Sequence, residues 1–268
     1  MVKQRLRRCN VLLPWSRSTT VALGANGIAV KVDGEEPKTL VKEEKCYKSS
    51  SALTEALVQA SKQIEAGVVR FIISNHFVRY ISIPWHDGLL ARQDWVALAE
   101  HEFRKSFGKV AENWEVRVSL NNYGKRTVSC AIDQAFIDNL QLISVENKWQ
   151  ISSIEPFLMT ALQNITLENQ NTWMLLGEPE RVVLVQYDQG DWKNFSVVNP
   201  PRGMEIEQSE QLLLRELTQV KESNCPKQVL ACLAPELKGN LHIDSLNIKS
   251  VHIGNKNMLN SALWMVSI

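Results

Sequence analysis

The sequence contains no apolar run near the ~20 residues needed to cross a bilayer, so a simple helical span is excluded. Its opening, MVKQRLRRCNVLLPW, is charged, but the apolar stretch is too short for a secretory leader. The expectation is therefore a cytoplasmic protein. The five cysteines, Cys9, Cys46, Cys130, Cys225 and Cys232, are odd in number and form no CxxC pair, which fits a reducing compartment. No GxxxxGK[ST], GxGxxG, HExxH or GxSxG string occurs, so the common phosphate-loop, dinucleotide, zinc-hydrolase and serine-hydrolase signatures are missing. No Pro/Ser/Gly-rich or single-sign segment is long enough to read as disordered. Net charge is nearly absent too, with 30 basic against 29 acidic residues, so nothing drives the whole surface towards nucleic acid or anionic lipid.

The charge is uneven, however. No acidic residue precedes Asp33, while Lys3, Arg5, Arg7, Arg8, Arg17 and Lys31 are basic. Residues 1–18 thus read as a basic arm that touches acidic lipid or an acidic partner, or as a frayed end. At 268 residues the chain suits one large domain or two of ordinary size.

The stretch TVALGANGIAVK, residues 20–31, reads as two strands joined by a glycine-bearing turn. Asp33-Gly34 marks a second turn before a third strand. SSALTEALVQASKQIEAG has helical spacing at Leu53, Ala56, Leu57, Ala60 and Ile64, with Ser51 as cap and Gly67 as stop. The unbroken apolar run Val68–Ile73 predicts a strand covered on both faces, and another strand ends at Ile83-Pro84. A helix follows over Gln93–Phe107, with Val96, Ala99, Phe103 and Phe107 on one stripe. Trp114, Val116, Val118 and Leu120, then Val128, Cys130 and Ile132, alternate as a hairpin with one wet face. A helix near 133–147 has Asp133 as its cap. A strand near Trp149–Ile154 leads to Pro156, placed to open another helix.

The second half repeats this order. WMLLGEPERVVLVQYDQGDWKNFSVV gives three strands, followed by a helix over Glu205–Lys221, a buried strand over Val229–Leu233 and a last strand near 246–253. Leu23-Gly24 and Leu176-Gly177, each preceding a three-residue turn, set the register of the duplication.

This order, two ribonuclease-H-like units in tandem, makes an α/β fold of mixed sheets flanked by helices. Through TVALGANGIAVK, VVRFIISNHFVRYISIPW, AEHEFRKSFG and ISSIEPFLMTAL, the chain resembles the actin-like cytoplasmic assembly-platform proteins of type IV pili and type II secretion: PilM, the GspL cytoplasmic domain and the MshI-like proteins. The resemblance implies a first lobe over 19–154, carrying an inserted helix–hairpin subdomain near 85–132, and a second lobe over 155–268. It also implies what to look for in a site. ATP-binding relatives place a carboxylate on the first strand of each lobe to hold magnesium, and their hairpin amides grip phosphate. Here the matching positions read Ala22-Leu23-Gly24 and Leu175-Leu176-Gly177. Neither carries a hard oxygen ligand, and Glu178-Pro179-Glu180 adds negative charge and a residue without an N–H.

The implied protein is a non-catalytic adaptor, without cofactor or metal. It docks the cytoplasmic tail of a bitopic inner-membrane assembly protein and couples it to a motor ATPase. It binds no nucleic acid and meets the membrane only indirectly or through the basic arm. Two rivals stay open: an actin-like ATPase with unconventional ligands, and a self-assembling filament protein. Eight tryptophans point to a contact surface, for which Arg79, Trp85 and Trp95 are the candidates, with Trp114 assigned to the core. His76, His242, His252 and the His101-Glu102 pair have no partner at metal-ligand spacing and read as satisfied or surface groups.

Overall fold

A computed structural model describes residues 18–65, 67–89, 91–165, 167, 171–221, 225–237, 239–253 and 260–268. The basic segment 1–17, with Cys9, lies outside the described residues.

The chain begins with a meander of β1 (Ser18–Gly24), β2 (Gly27–Val32) and β3 (Lys38–Lys42). Helix α1 (Ser50–Ser61) then returns it to β4 (Val68–Ile73), which pairs parallel to β1. A detour follows: β5 (Val78–Ile83), α2 (Arg92–Phe107), β6 (Trp114–Ser119) and β7 (Thr127–Asp133). Helix α3 (Gln134–Glu146) leads back to β8 (Gln150–Pro156), which lies parallel to β4. The first sheet therefore runs β3-β2-β1-β4-β8, and the detour forms its own antiparallel sheet, β5-β7-β6.

After α4 (Phe157–Gln163), the same topology recurs with β9 (Thr172–Glu178), β10 (Arg181–Asp188), β11 (Asp191–Val198), α5 (Glu205–Gln219), β12 (Gln228–Leu233) and β13 (Ile248–Ser250), in the order β11-β10-β9-β12-β13. The duplication read from element order is present strand for strand. Its register, however, is one residue away from the sequence alignment. Leu23 pairs with Ile73 and its carbonyl accepts from Ser74 N, while Gly177 pairs with Leu233 and its carbonyl accepts from Ala234 N. Leu23 thus corresponds to Gly177, and Gly24 to Glu178. Both turns also hold two residues rather than three, Ala25-Asn26 and Pro179-Glu180.

One apolar cluster runs through both halves. It joins Val21, Leu23, Phe71 and Ile73 of the first sheet to Met174, Leu176, Val183 and Cys232 of the second. Trp173, Leu175, Val182 and Leu184 face the other way, where Leu212 and Leu213 of α5 cover them. The second sheet is thus buried on both faces, so its first two strands read as unbroken apolar runs. A third cluster seats Trp95, Ala99 and Phe103 of α2 on Ile83, Val116, Val118 and Ala131.

Several local expectations shift. The α1 cap is Ser49, whose Oγ accepts from Ala52 N, and the helix ends at Ser61, six residues before Gly67. Phe107 is exposed rather than part of the buried stripe, with its ring against Phe103 and Trp114. The hairpin has one wet face only on β6. Strand β7 is the central strand of its sheet, and Val128, Ser129 and Ala131 on its two faces are all buried. Asp133 does cap α3, accepting from Ala135 N at 3.0 Å.

No sequence signal pointed to the last helix, α6 (Ser261–Val266), which packs on β1 and β2. Trp264 is 4% exposed, meets Phe157 edge-to-face with centroids 4.9 Å apart, and donates from Nε1 to Ile253 O at 2.8 Å. Truncating a buried tryptophan leaves a large cavity. Trp264→Ala is therefore expected to cost about 3–5 kcal/mol, measured by urea denaturation.

Candidate functional site

The two hairpins that would grip a phosphate in ATP-binding relatives can be followed atom by atom. At the first, Ala25 is fully buried and Asn26 is 5% exposed. Ala25 O accepts from Tyr47 N at 2.7 Å, Asn26 O from Glu43 N at 2.8 Å, and Asn26 Oδ1 from Ser261 Oγ at 3.2 Å. A Cβ at Gly24 would lie 3.0 Å from Ala262 Cβ, and one at Gly27 would lie 2.6 Å from Val41 O. Both glycines are needed because the chain's own backbone and α6 approach so closely. The tip of this turn faces protein.

The second hairpin is occupied in another way. Glu178 is fully buried. Its Oε1 accepts from Ser74 Oγ at 2.6 Å, and its Oε2 from Asn75 N at 3.0 Å and Asn75 Nδ2 at 2.7 Å. These donors sit just after β4, in the turn Asn75–Phe77. The tip amide of Glu180 goes to Glu205 Oε1 at 3.2 Å, while Gly203 N donates to Glu205 Oε2 at 2.7 Å. Glu205 is the first residue of α5, where a carboxylate also meets the positive end of the helix dipole. Carboxylates of the chain itself thus take the donors that an anion would use.

Burial sets the electrostatics. Desolvation pushes the Glu178 carboxyl above its ordinary range, against the pull of Ser74, Asn75 and Arg181. His76 Nε2 lies 2.7 Å from Pro179 O, and since a carbonyl only accepts, that nitrogen carries the proton. Burial, with help from Arg181 and Arg79, lowers the His76 pKa to about 4 despite that bond. Desolvation and the neighbouring Arg79 bring Arg181 down to about 10. His76, Arg79 and Arg181 border a cavity of about 550 Å³, also lined by Cys46, Lys48, Val110, Trp114, Asp133 and Asn199. Among the described residues, no group of three His, Cys, Asp or Glu is arranged to hold a metal ion.

The candidate residues of the sequence separate. Ala22 and Leu175 are buried core, and a Cβ at Gly177 would lie 2.8 Å from Leu233 Cδ2. By the strand register, the second-sheet counterpart of Ala22 is Leu176 rather than Leu175. Trp85 and Trp95 come together at 5.4 Å, and Trp85 also meets Tyr123 at 4.8 Å. Trp95 is 3% exposed, so it supports Trp85 from beneath and offers little surface of its own. Arg79 stands apart, near the opposite end of β5, in the cavity wall. Trp114, assigned to the core, is half-buried and lines that cavity. His76, assigned a bland role, is a contact between the two halves. Arg181 and Glu205 were not singled out, and Glu178 was named only as a charge beside the second hairpin. The off-by-one register hid its place opposite Gly24, and the composition of a strand end does not reveal its distant donors.

No protein-family model and no curated protein matches the sequence. Solved structures do match. The chain is similar to the cytoplasmic domain of EpsL, an inner-membrane component of the type II secretion system of Vibrio cholerae, with a TM-score of 0.59, 9% identity, and 94% of this chain and 93% of that one covered. It is similar to a Bacteroides thetaiotaomicron protein with an actin-like ATPase fold and unknown function, at 0.54, 13% identity and 83% of each chain. It is also similar to the PilM–PilN type IV pilus biogenesis complex, at 0.52, 12% identity and 81% of each chain. The fold is the actin-like ATPase fold. The α/β architecture expected from element order is thus observed, and two of these three structures come from the secretion and pilus systems that the sequence suggested. Among the described residues, no helix of this actin-like chain is long and apolar enough to cross a membrane.

Two predictions follow from Glu178 and His76. Glu178→Ala strands Ser74 Oγ and both Asn75 donors, and is expected to cost about 3–5 kcal/mol. Glu178→Gln keeps the volume and removes a desolvated charge, so it is expected to stay within about 1 kcal/mol of the parent at neutral pH; urea melts compare the two. For His76, the unfolded chain takes up a proton near pH 6.5 and the folded chain only near pH 4. Its contribution is therefore complete above pH 6.5 and falls by up to about 1.4 kcal/mol per pH unit towards pH 4. His76→Gln keeps a donor for Pro179 O, and the difference between the two proteins across that window is expected to show the loss.

Proposed function

We propose that this chain is a cytoplasmic adaptor of a type II secretion or type IV pilus assembly platform, one that binds a membrane partner and does not turn over nucleotide. The observation that carries this reading is the pair of occupied hairpins. Ala262 fills the approach to the first, while at the second the Glu205 carboxylate takes the Glu180 amide and the Glu178 carboxylate is buried against Ser74 and Asn75. The whole-length similarity to the EpsL cytoplasmic domain supports the choice of apparatus. The similarity to PilM in its complex with PilN supports the choice of partner. In this reading the partner presents the cytoplasmic tail of a bitopic inner-membrane protein, and the adaptor transmits its position to a motor ATPase.

The edge strands β3, β6 and β13 suit addition of an extended peptide. Trp85, half-buried over Trp95 and against Tyr123, is the aromatic anchor we assign to the contact, with Arg79 as a charged one. The basic arm, residues 1–18, is assigned to peripheral contact with the inner membrane.

Titrating the full chain with synthetic tails of the membrane proteins encoded beside it tests the adaptor role. Micromolar binding by one tail, weakened about tenfold by Trp85→Ala, is the expected result; silence from every tail counts against it. Calorimetry with Mg-ATP tests the rest. No heat and no phosphate release are expected, whereas tight binding with turnover would establish the ATPase alternative.

A further inference from the structure

Two guanidinium groups meet at one backbone carbonyl in the cavity wall. Arg79 Nη1 donates to His76 O and to Val78 O, both at 3.1 Å. Arg181 Nη2 donates to the same Val78 carbonyl at 3.2 Å, and its Nη1 to Asn199 Oδ1 at 2.6 Å. Sharing one acceptor holds the two donor nitrogens no more than about 6 Å apart. Arg181 is 6% exposed, and its Nε has no hydrogen-bond partner.

Among the described residues, neither guanidinium makes an ion pair. Glu178, near enough to Arg181 to be felt electrostatically, has its oxygens committed to Ser74 and Asn75. The cavity's other carboxylates are Asp133, which is exposed and caps α3, and Glu180, which stands beside the Cys46 thiol. A buried cation whose only partners are neutral oxygens is costly. A second, half-buried cation facing the same carbonyl adds to that cost, and each lowers the proton affinity of its neighbours: Arg79 that of Arg181, and both that of His76. An oxyanion entering the cavity reverses each of these costs, because a guanidinium fork matches two oxygens of one carboxylate or phosphate. The volume of about 550 Å³ admits more than a bare ion.

We propose that Arg79 and Arg181 form an oxyanion site that receives one carboxylate or phosphate group of a ligand entering the cavity. The site is built from β5 and β10, not from either hairpin's turn amides, and it stands whether or not the adaptor reading holds. Its ligand comes from one of two sources, an acidic side chain or a phosphate ester, and the chemistry at the arginines is the same for both.

The test uses the full chain and two probes, inorganic phosphate and a terminally blocked triglutamate peptide, each compared with chloride at matched ionic strength. Calorimetry reads affinity, the change in tryptophan fluorescence that is lost in Trp114→Phe reads occupancy of the cavity, and thermal melts read linked stabilisation. At least one probe is expected to bind with millimolar affinity or better and to raise the melting temperature. Arg79→Gln is expected to weaken that binding at least tenfold. Arg79→Lys, which keeps the charge but loses the fork, is expected to fall between the two. Because Arg79 is only half-buried, these variants keep the test independent of whether Arg181→Gln folds. Phosphate alone binding marks a phosphorylated ligand, triglutamate alone an acidic one. Failure of both probes to differ from chloride, or unchanged affinity in Arg79→Gln, would overturn the proposal.

Discussion

The carboxylate of Glu178 is the constraint around which the two halves are organised. It stands at the end of β9, yet every donor it uses lies on the far side of the molecule's internal duplication, 103 to 104 positions earlier. Asn75 extends the junction, since its Oδ1 accepts from Tyr80 Oη at 2.6 Å and from Leu158 N at 3.2 Å. Tyr80 in turn stacks on Phe195 of β11. One buried acid therefore fixes the second hairpin, the start of α4 and the root of the β5–β7 sheet together. In so dry a setting each bond is strong and each missing one expensive, so the network admits a narrow range of geometries.

The same chemistry recurs at two helix starts. Glu205 takes amides of the second hairpin turn and of Gly203, and Glu236 Oε1 accepts from Ser261 N at the start of α6 at 2.6 Å. An actin-like frame offers backbone donors at strand ends and helix starts whatever its function. In this chain, side chains supply the negative charge. The glycines follow the same logic: Gly24, Gly27 and Gly177 stand where α6, β3 and Leu233 come too near for a Cβ.

Much of the frame was visible in the sequence, because meander strands announce themselves by turn residues and buried strands by unbroken apolar runs. Val68–Ile73 and Val229–Leu233 were legible for that reason. The register between the halves was not, because it is set by which carbonyl meets Ser74 N and which meets Ala234 N, and letters alone align Gly24 with Gly177. Helix α6 is too short to show a periodic stripe, with six residues and a cap, Asn260, that sequence reading passed over. Among the tryptophans, counting could nominate Trp85 and Trp95 but not tell which one shields the other. Glu178, read in the sequence as negative charge beside a hairpin, is instead fully buried and accepts from Ser74 and Asn75.

The return of α6 to β1 and β2 also bears on how the protein is made. Synthesis delivers the first meander early, and domains fold broadly in that order. The Ala25-Asn26 tip must then wait, uncovered, until the stretch bearing Asn260 and Ala262 has left the ribosome. A nascent first half is thus an unfinished unit, and its first hairpin is completed only when residues 260–268 have been made.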